Sequence, residues 1–401
     1  MRTPASVGIE AASQHRGDEE MDSAEVKGQE KVKRAMEIAA AGGHNPLLLD
    51  RGTNQILVTG ALGWLGSRLV EALVGGLPDC DALKEPCREA RIRCLVLPGQ
   101  DASVLAWLPD RIEILTGDLR DPADCDRFCQ GAKGAILFHT AGLIHPRRIA
   151  ELYSVNVRGT VQLLDAAARA SVGRAVVVSS NSPCGCNPHP DHLFDELSPY
   201  HPFLNYGRSK VQMELAVHER QQQGRLETVL VRPPWFYGPN QPPRQTLFFR
   251  MIRAGKAPIV GSGLNLRSMT YIDNLCQGLL LAAMTPRANG QTYWLADRRP
   301  YPMDEIIDTV ERLLETEFDR PCAHKRLRLP GLAASIAFVL DTTIQAAGFY
   351  RQKLHVLSEM NKTVACSIAK AENELGYRPA IELEEGLRRS LAWCLRHGLE
   401  I

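Results

Sequence analysis

The chain of 401 residues is 44% hydrophobic and 23% charged, the composition of a soluble globular protein of two or three domains with enough apolar residues for a sizeable core. Its 47 Lys and Arg against 46 Asp and Glu leave a formal charge of +1, which excludes the global basic field that holds nucleic acid or an anionic membrane. Eleven cysteines follow no secreted-type framework, so reduced thiols in a cytoplasmic protein are expected.

Residues 1–50 contain no Phe, Trp or Tyr, and Arg16–Arg34 is dominated by charged, Gln and small residues. Such a segment buries too little apolar area to offset its ordering entropy. A disordered arm is expected, with one short helix at Val32–Ala41; its acidic residues argue against a transit peptide. From Gln55 the texture changes. Ile56-Leu57-Val58 is a strand-type run, followed by Thr59-Gly60-Ala61-Leu62-Gly63-Trp64-Leu65-Gly66 and a helical pattern through Leu69, Leu73 and Val74. Strand, glycine turn and helix in this order form the first unit of a nucleotide-binding fold. A pyrophosphate needs backbone N–H groups and a positive helix end close by, where side chains at Gly60 or Gly63 would stand in the way.

Further strand-like runs follow at Ile92–Leu97, Ile112–Leu115, Ala135–Phe138, Ala175–Val178 and Thr228–Val231, with helical patterns at Glu151–Ala170 and Ser209–Gln223. This alternation predicts an α/β fold, a Rossmann-type doubly wound parallel sheet. The connection Gly75–Arg91 is read as a surface loop: its Cys80 and Cys87 lack a partner pair at metal-ligand spacing, as do Cys184 and Cys186, and no metal is expected. Tyr206-Gly207-Arg208-Ser209-Lys210 puts Tyr206 and Lys210 on one helical face, where an ammonium can depress the phenol's pKa toward working pH. Ser179 and Ser180 stand at the C-terminal end of a predicted strand, the edge where ligands bind in such sheets.

Together these residues resemble the extended short-chain dehydrogenase/reductase superfamily, the NAD-dependent epimerases and dehydratases. The pieces are Thr59-Gly60-x-x-Gly63-x-x-Gly66, Gly117-Asp118-Leu119, His139-Thr140-Ala141-Gly142, Asn156-Val157-Arg158-Gly159-Thr160, Ser179-Ser180, Tyr206-x-x-x-Lys210, Arg232-Pro233 with Tyr237-Gly238-Pro239, and Tyr271-Ile272-Asp273-Asn274. The resemblance implies Tyr206 as general acid/base, Lys210 as the group that lowers its pKa and bonds the nicotinamide ribose, and Ser180, five residues before Gly185, as the hydroxyl on the substrate oxygen. It also implies cofactor contacts from Gly60, Leu62, Gly63, Trp64, Leu65 and Gly66, from Asp118 to the adenine amino group, from Leu119 to the ring, and from Ala141, Gly142 and Pro233. Asn156 has a bracing or catalytic role on the same ground.

NAD is favoured, with NADP left open: Leu95-Val96-Leu97-Pro98-Gly99-Gln100-Asp101 offers no Arg for a 2′-phosphate, and Asp101 is the nearest carboxylate. The stretch Gly261–Asn274 resembles the 3β-hydroxysteroid/sterol dehydrogenase branch. Trp235 stands where sugar-nucleotide relatives carry a polar Asn, which favours an apolar substrate. The expected activity is interconversion of a secondary alcohol and a ketone on a sterol-like or polycyclic molecule. Arg267, which would reach a phosphate in sugar-nucleotide relatives, keeps a nucleotide-sugar epimerase or dehydratase as the alternative; a non-catalytic dinucleotide sensor is the third, disfavoured by the intact Tyr206 and Lys210. Leu329–Leu340, resuming through Phe349, is too short to span a bilayer. It is read first as a buried cap helix, and otherwise as a peripheral membrane contact through 329–349. The expected domains are the arm at 1–50, a dinucleotide-binding unit at 51–235, and a smaller C-terminal α/β substrate-binding unit at 236–401 whose segments around 270–295 return to the first. The resemblance also implies a homodimer through the helices at Glu151–Ala170 and Ser209–Gln223.

Overall fold

A computed structural model describes residues 54–87, 89–105 and 111–401. The arm at 1–50 and its helix at 32–41 lie outside the described residues. The fold opens with β1 (Gln55–Thr59), whose Ile56 and Val58 enter one hydrophobic cluster while Leu57 enters another, because successive side chains of a strand point to opposite faces. Burial on both faces is why the run reads as continuously apolar. There follow α1 (Trp64–Gly75), β2 (Arg91–Val96), β3 (Ile112–Thr116), α2 (Pro122–Cys129) and β4 (Ile136–His139). A helical stretch comes next in three pieces: α3 (Ile149–Leu152), a π-helical segment (Tyr153–Gly159) and α4 (Thr160–Arg169). β5 (Arg174–Val178), α5 (Leu204–Gln222) and β6 (Glu227–Arg232) continue the alternation.

The remaining chain forms β7 (Trp235–Tyr237), α6 (Pro243–Arg253), β8 (Pro258–Val260), β9 (Leu266–Arg267), β10 (Met269–Tyr271), α7 (Ile272–Met284) and β11 (Thr292–Trp294). It ends with β12 (Tyr301–Pro302), α8 (Met303–Phe318), β13 (Leu327–Leu329), α9 (Gly331–Ala346), α10 (Gln352–Glu359), α11 (Ala369–Leu375) and α12 (Leu383–Arg396). Seven strands lie in the order β11, β6, β5, β4, β1, β2, β3, every neighbouring pair parallel. This is the predicted doubly wound Rossmann-type sheet. Its order reverses between β1 and β4, which opens a crevice at their C-terminal ends, where Thr59 pairs with His139.

Four expectations need correction. The connection after α1 is not a surface loop: Leu77, Leu83, Cys87 and Ala90 are buried in the main core, so the segment repays its length with apolar packing. Cys184 is buried as well and Cys186 partly so. Helix α5 begins at Leu204 rather than Ser209, which puts Tyr206 in its first turn. Helix α9 is not a buried cap, since Leu332 is 68% exposed and Val339 63%; the side of this helix that meets the protein carries Ala334, Ala337, Asp341 and Gln345.

Gly66 lets α1 rest on the glycine turn, for a Cβ there would stand 2.0 Å from the Gly60 carbonyl oxygen. Backbone cannot yield as a flexible side chain does, so Gly66→Ala is expected to cost about 1–3 kcal/mol, read as a lower urea midpoint with weaker NAD binding.

Candidate active site

The crevice between β1 and β4 is lined by backbone. Gly60 has φ +73, and a Cβ on it would meet the Ala141 nitrogen at 2.7 Å, so the two loops touch. The Gly63 N–H bonds the Gly60 carbonyl at 2.9 Å, leaving the Trp64, Leu65 and Gly66 amides as the unpaired donors of a helix start. Gly63 caps α1 with no side-chain bond, and α1 has no acid in its first turn. Donor amides, a positive helix end and the space reserved by three glycines fit a dinucleotide pyrophosphate. Leu65 is buried in the core and Leu62 packs against it. Trp64 lies at the turn but ties it to the chain after β7: its indole N–H donates to the Pro239 carbonyl at 2.6 Å, and its ring lies 4.8 Å from Phe236.

Past β3, Asp118 is held by its own neighbour, with Arg120 donating at 2.5 Å. This ion pair holds the Asp118 carboxyl below its ordinary range, so it is an ionised acceptor. Leu119 is buried beneath Gly159. Asp101 instead accepts from the Ser103 amide and hydroxyl at 2.9 Å, which commits it to its own turn. Gly142 is exposed; Ala141 packs beside the second cluster and Pro233 is buried after β6.

Asn156 sits in the π-helical segment and is 1% exposed. Its side chain accepts from the Leu143 N–H at 2.8 Å and donates to the Leu143 carbonyl at 2.9 Å, with a longer bond to the Ser209 hydroxyl. It is fully spent on bracing the loop after β4. His139 bridges Thr59 at 2.7 Å and Thr160 at 2.8 Å. Burial, with the Lys210 charge nearby, pushes it down to about 3, so it is a neutral core histidine.

The two serines after β5 diverge. Ser179 donates to Glu214 at 2.5 Å, whereas the Ser180 hydroxyl lies 3.3 Å from Ser182 and faces the Tyr206 phenol. Burial pushes the phenol up to about 12; Ser180 and the Arg244 charge oppose the rise, and Glu359 adds to it. The expected depression by Lys210 is not present in this geometry. Lys210, itself lowered to about 8 by burial against the supporting charge of Glu214, turns its ammonium to the Val178 carbonyl at 3.1 Å and to Met213.

Glu214 belongs to a network the sequence reading missed. It pairs with Arg232 at 2.6 Å, both side chains buried, and accepts from the Tyr200 hydroxyl at 2.9 Å. Its place four residues after Lys210 on α5 was the available signal. Tyr206 packs with Tyr350, whose hydroxyl meets His145 Nδ1 at 2.8 Å, and the charges of Arg244 and Glu359 reach the phenol. Trp235 is half-buried, edge-on to Phe248 at 5.6 Å, and Arg267 donates to the Glu359 carbonyl at 2.6 Å. No group of three metal-ligating side chains occurs among the described residues.

The model of the NAD dependent epimerase/dehydratase family matches residues 56–296. A second model, magnesium chelatase subunit ChlI, matches residues 22–80, well under half of the chain. The chain is 52% identical to "Uncharacterized protein y4nL" of Sinorhizobium fredii, over 86% of this chain and 96% of that one. It is 28% identical to 3beta-hydroxysteroid-dehydrogenase/decarboxylase isoform 1 of Arabidopsis thaliana, over 84% and 78%. Among solved structures, the dTDP-glucose 4,6-dehydratase DesIV of Streptomyces venezuelae, with NAD and TYD bound, is 25% identical at a TM-score of 0.66, covering 86% of this chain and 99% of that one. The glycine turn, the sheet order and the family match over more than half the chain agree: this protein belongs to the NAD-dependent epimerase/dehydratase family, within the extended short-chain dehydrogenase/reductase superfamily.

Proposed function

We propose that the protein interconverts a secondary alcohol and a ketone on a mainly apolar, sterol-like or polycyclic substrate, with Tyr206 as general acid/base. The observation that carries this reading is the placement of Tyr206 in the first turn of α5, on the helix that also carries Lys210, with Ser180, just beyond β5 at the sheet edge, acting on its phenol. NAD, when bound, supplies the hydride chemistry. The turn from Gly60 through Leu62, Gly63, Trp64 and Leu65 to Gly66 would hold its pyrophosphate; Ala141, Gly142 and Pro233 would border it. Asp118 would accept from the adenine amino group on release from Arg120, with Leu119 beside the ring. Ser180 holds the substrate oxygen while Tyr206 Oη gives or takes its proton. A phenol pushed up to about 12 is protonated at neutral pH, so the resting site is ready to donate to a ketone. Lys210 would turn toward the ribose and assist the reverse transfer.

Trp235 with Phe248, and Phe236 with Trp64, support an apolar substrate face, as does the name of the 28%-identical plant relative. A nucleotide-sugar epimerase or dehydratase is the second reading, supported by Arg267 and by the dehydratase relative. A panel of sterols, flavonoid-type ketones and nucleotide sugars, followed by nicotinamide absorbance with NAD and NADP, decides between them. Sterol-type turnover with a lower KM for NAD is expected; turnover of nucleotide sugars alone overturns the reading.

No helix among the described residues is long and apolar enough to cross a membrane. The exposed ridge of Leu332, Ile336, Val339 and Leu340 on α9 supports a peripheral membrane contact, which predicts flotation with liposomes that Ile336→Glu abolishes. A homodimer through α3, α4 and α5 completes the proposal, with Leu215 exposed on α5.

A further inference from the structure

Tyr206 is the third residue of α5, and its own sequence does not secure the start of that helix. A helix leaves its first four N–H groups without partners inside it, and a side chain just ahead of the helix ordinarily accepts from the second or third of them. Here that position is Phe203, which has no acceptor and makes no capping bond. Leu204, the first helical residue, is buried and adopts φ +52, a left-handed conformation that a leucine side chain disfavours. Local rules would let the turn carrying Tyr206 unwind.

The missing cap comes from α9. Gln345, 4% exposed, accepts through Oε1 from the Asn205 backbone N–H at 3.2 Å and from the Asn205 side-chain amide at 3.0 Å. The Asn205 N–H is the second of the helix, the donor that a local cap would take. The orientation of the Gln345 amide is fixed from behind: its Nε2 donates to Asp341 Oδ2 at 3.0 Å, and that oxygen lies 2.9 Å from His355 Nδ1 on α10. This chain of contacts explains a fully buried carboxylate in an otherwise apolar helix. Asn205 is held on its other side by the Tyr153 hydroxyl, which donates to Oδ1 at 2.9 Å. Phe203 packs against the rings of Phe338 and His355, at 5.6 and 5.7 Å. On the opposite flank the Phe203 N–H bonds the Ser182 carbonyl at 3.3 Å, and a Cβ on Gly207 would stand 2.6 Å from that oxygen. The turn that bears Tyr206 is therefore wedged between the serine loop after β5 and the helices α9 and α10.

We propose that Gln345 is a positioning residue for Tyr206: its amide supplies the cap that holds the first turn of α5, and so keeps the phenol facing Ser180 and on the helical face of Lys210. It acts through Asn205, one residue before the phenol. The inference rests on the reading of Tyr206 as general acid/base and adds the part of the chain that places it.

The test uses the NAD-saturated full chain and is decided without a substrate. Tyrosines are replaced by 3-fluorotyrosine, and the Tyr206 fluorine signal is assigned by its absence from Tyr206→Phe. Gln345→Leu, which keeps the bulk and loses the hydrogen bonds, is expected to shift or broaden the Tyr206 and Tyr153 signals and to leave those of the buried Tyr271 and Tyr377 in place. Hydrogen exchange over 203–208 is expected to quicken about tenfold, the worth of one buried hydrogen bond, with an unchanged Kd for NAD as the check on folding. Gln345→Glu is expected to act likewise, because a second carboxylate would face Asp341. Adding Asp341→Asn returns one donor and one acceptor to the pair, and is expected to bring signal and exchange back toward the parent. On a substrate that the parent turns over, Gln345→Leu is expected to lower kcat at least about tenfold with KM for NAD within a few-fold, as a displaced acid/base group does. A parent that turns over nothing fails the dehydrogenase reading, while the fluorine and exchange results still decide the placement. A Tyr206 signal and a 203–208 exchange rate unchanged in Gln345→Leu overturn the proposal, and so does an equal change in every tyrosine signal. If Gln345→Leu loses NAD binding, Gln345→Glu takes its place, and its difference from the double variant must appear at Tyr206 ahead of Tyr271 and Tyr377, or the proposal is rejected.

Discussion

Tyr206→Phe is expected to lower turnover by about 10²–10⁴-fold, the range that one general acid/base group contributes, while leaving the Kd for NAD within a few-fold. The asymmetry follows from position. The phenol stands on the first turn of α5 against Ser180 and Tyr350, whereas the glycine cradle that would hold the dinucleotide is built from the β1 turn and the start of α1. Removing one oxygen takes away the proton route and leaves the ring's packing intact. The loss should appear in kcat more than in KM. Nicotinamide absorbance measures the rate and protein fluorescence quenching the cofactor affinity; turnover near that of the parent enzyme eliminates Tyr206 as the acid/base.

Glu214→Ala has the largest expected effect on stability, a loss of about 3–5 kcal/mol. The carboxylate is fully buried and receives hydrogen bonds from Ser179, Tyr200 and Arg232. Without it the Arg232 guanidinium, 4% exposed, is a buried charge with, among the described residues, the rings of Tyr200 and Trp294 beside it and no carboxylate bonded to it. Desolvation without a counter-charge costs more than the ion pair contributes. The double variant Glu214→Leu with Arg232→Met should therefore recover much of the loss. Urea midpoints of the three proteins test this; a single variant as stable as the parent shows that Arg232 finds another partner. Glu214 also supports the charge of Lys210, so the double variant is expected to fold and yet lose activity.

The order of elements was legible because local rules govern it. A strand buried on both faces reads as a continuous apolar run, a helix start above a phosphate site needs glycines, and Tyr206 and Lys210 share a face through helical spacing alone. The misread regions have physical causes too. The segment after α1 looked polar in composition, yet Leu77, Leu83, Cys87 and Ala90 suffice to anchor it. The helix bearing Tyr206 starts early even though Leu204 adopts φ +52 at its first position, a conformation that no propensity would assign to leucine.

The parallel sheet, the glycine turn at the start of α1 and the helical face shared by Tyr206 and Lys210 could be read from the chain alone, because each is written within a short span whose geometry follows from backbone periodicity. The resemblance had already pointed to Ser180; the fold supplies the physical reason that Ser179 is not its equal, since Glu214 holds the Ser179 hydroxyl. The tertiary structure also decided what packs around Tyr350. His145 and Tyr350 lie far apart in the chain and share no spacing rule; they meet because α9 and α10 are held in place by Asp341, Gln345 and the Gly348 carbonyl. Long-range contacts of that kind depend on packing, which leaves no period in the sequence to read.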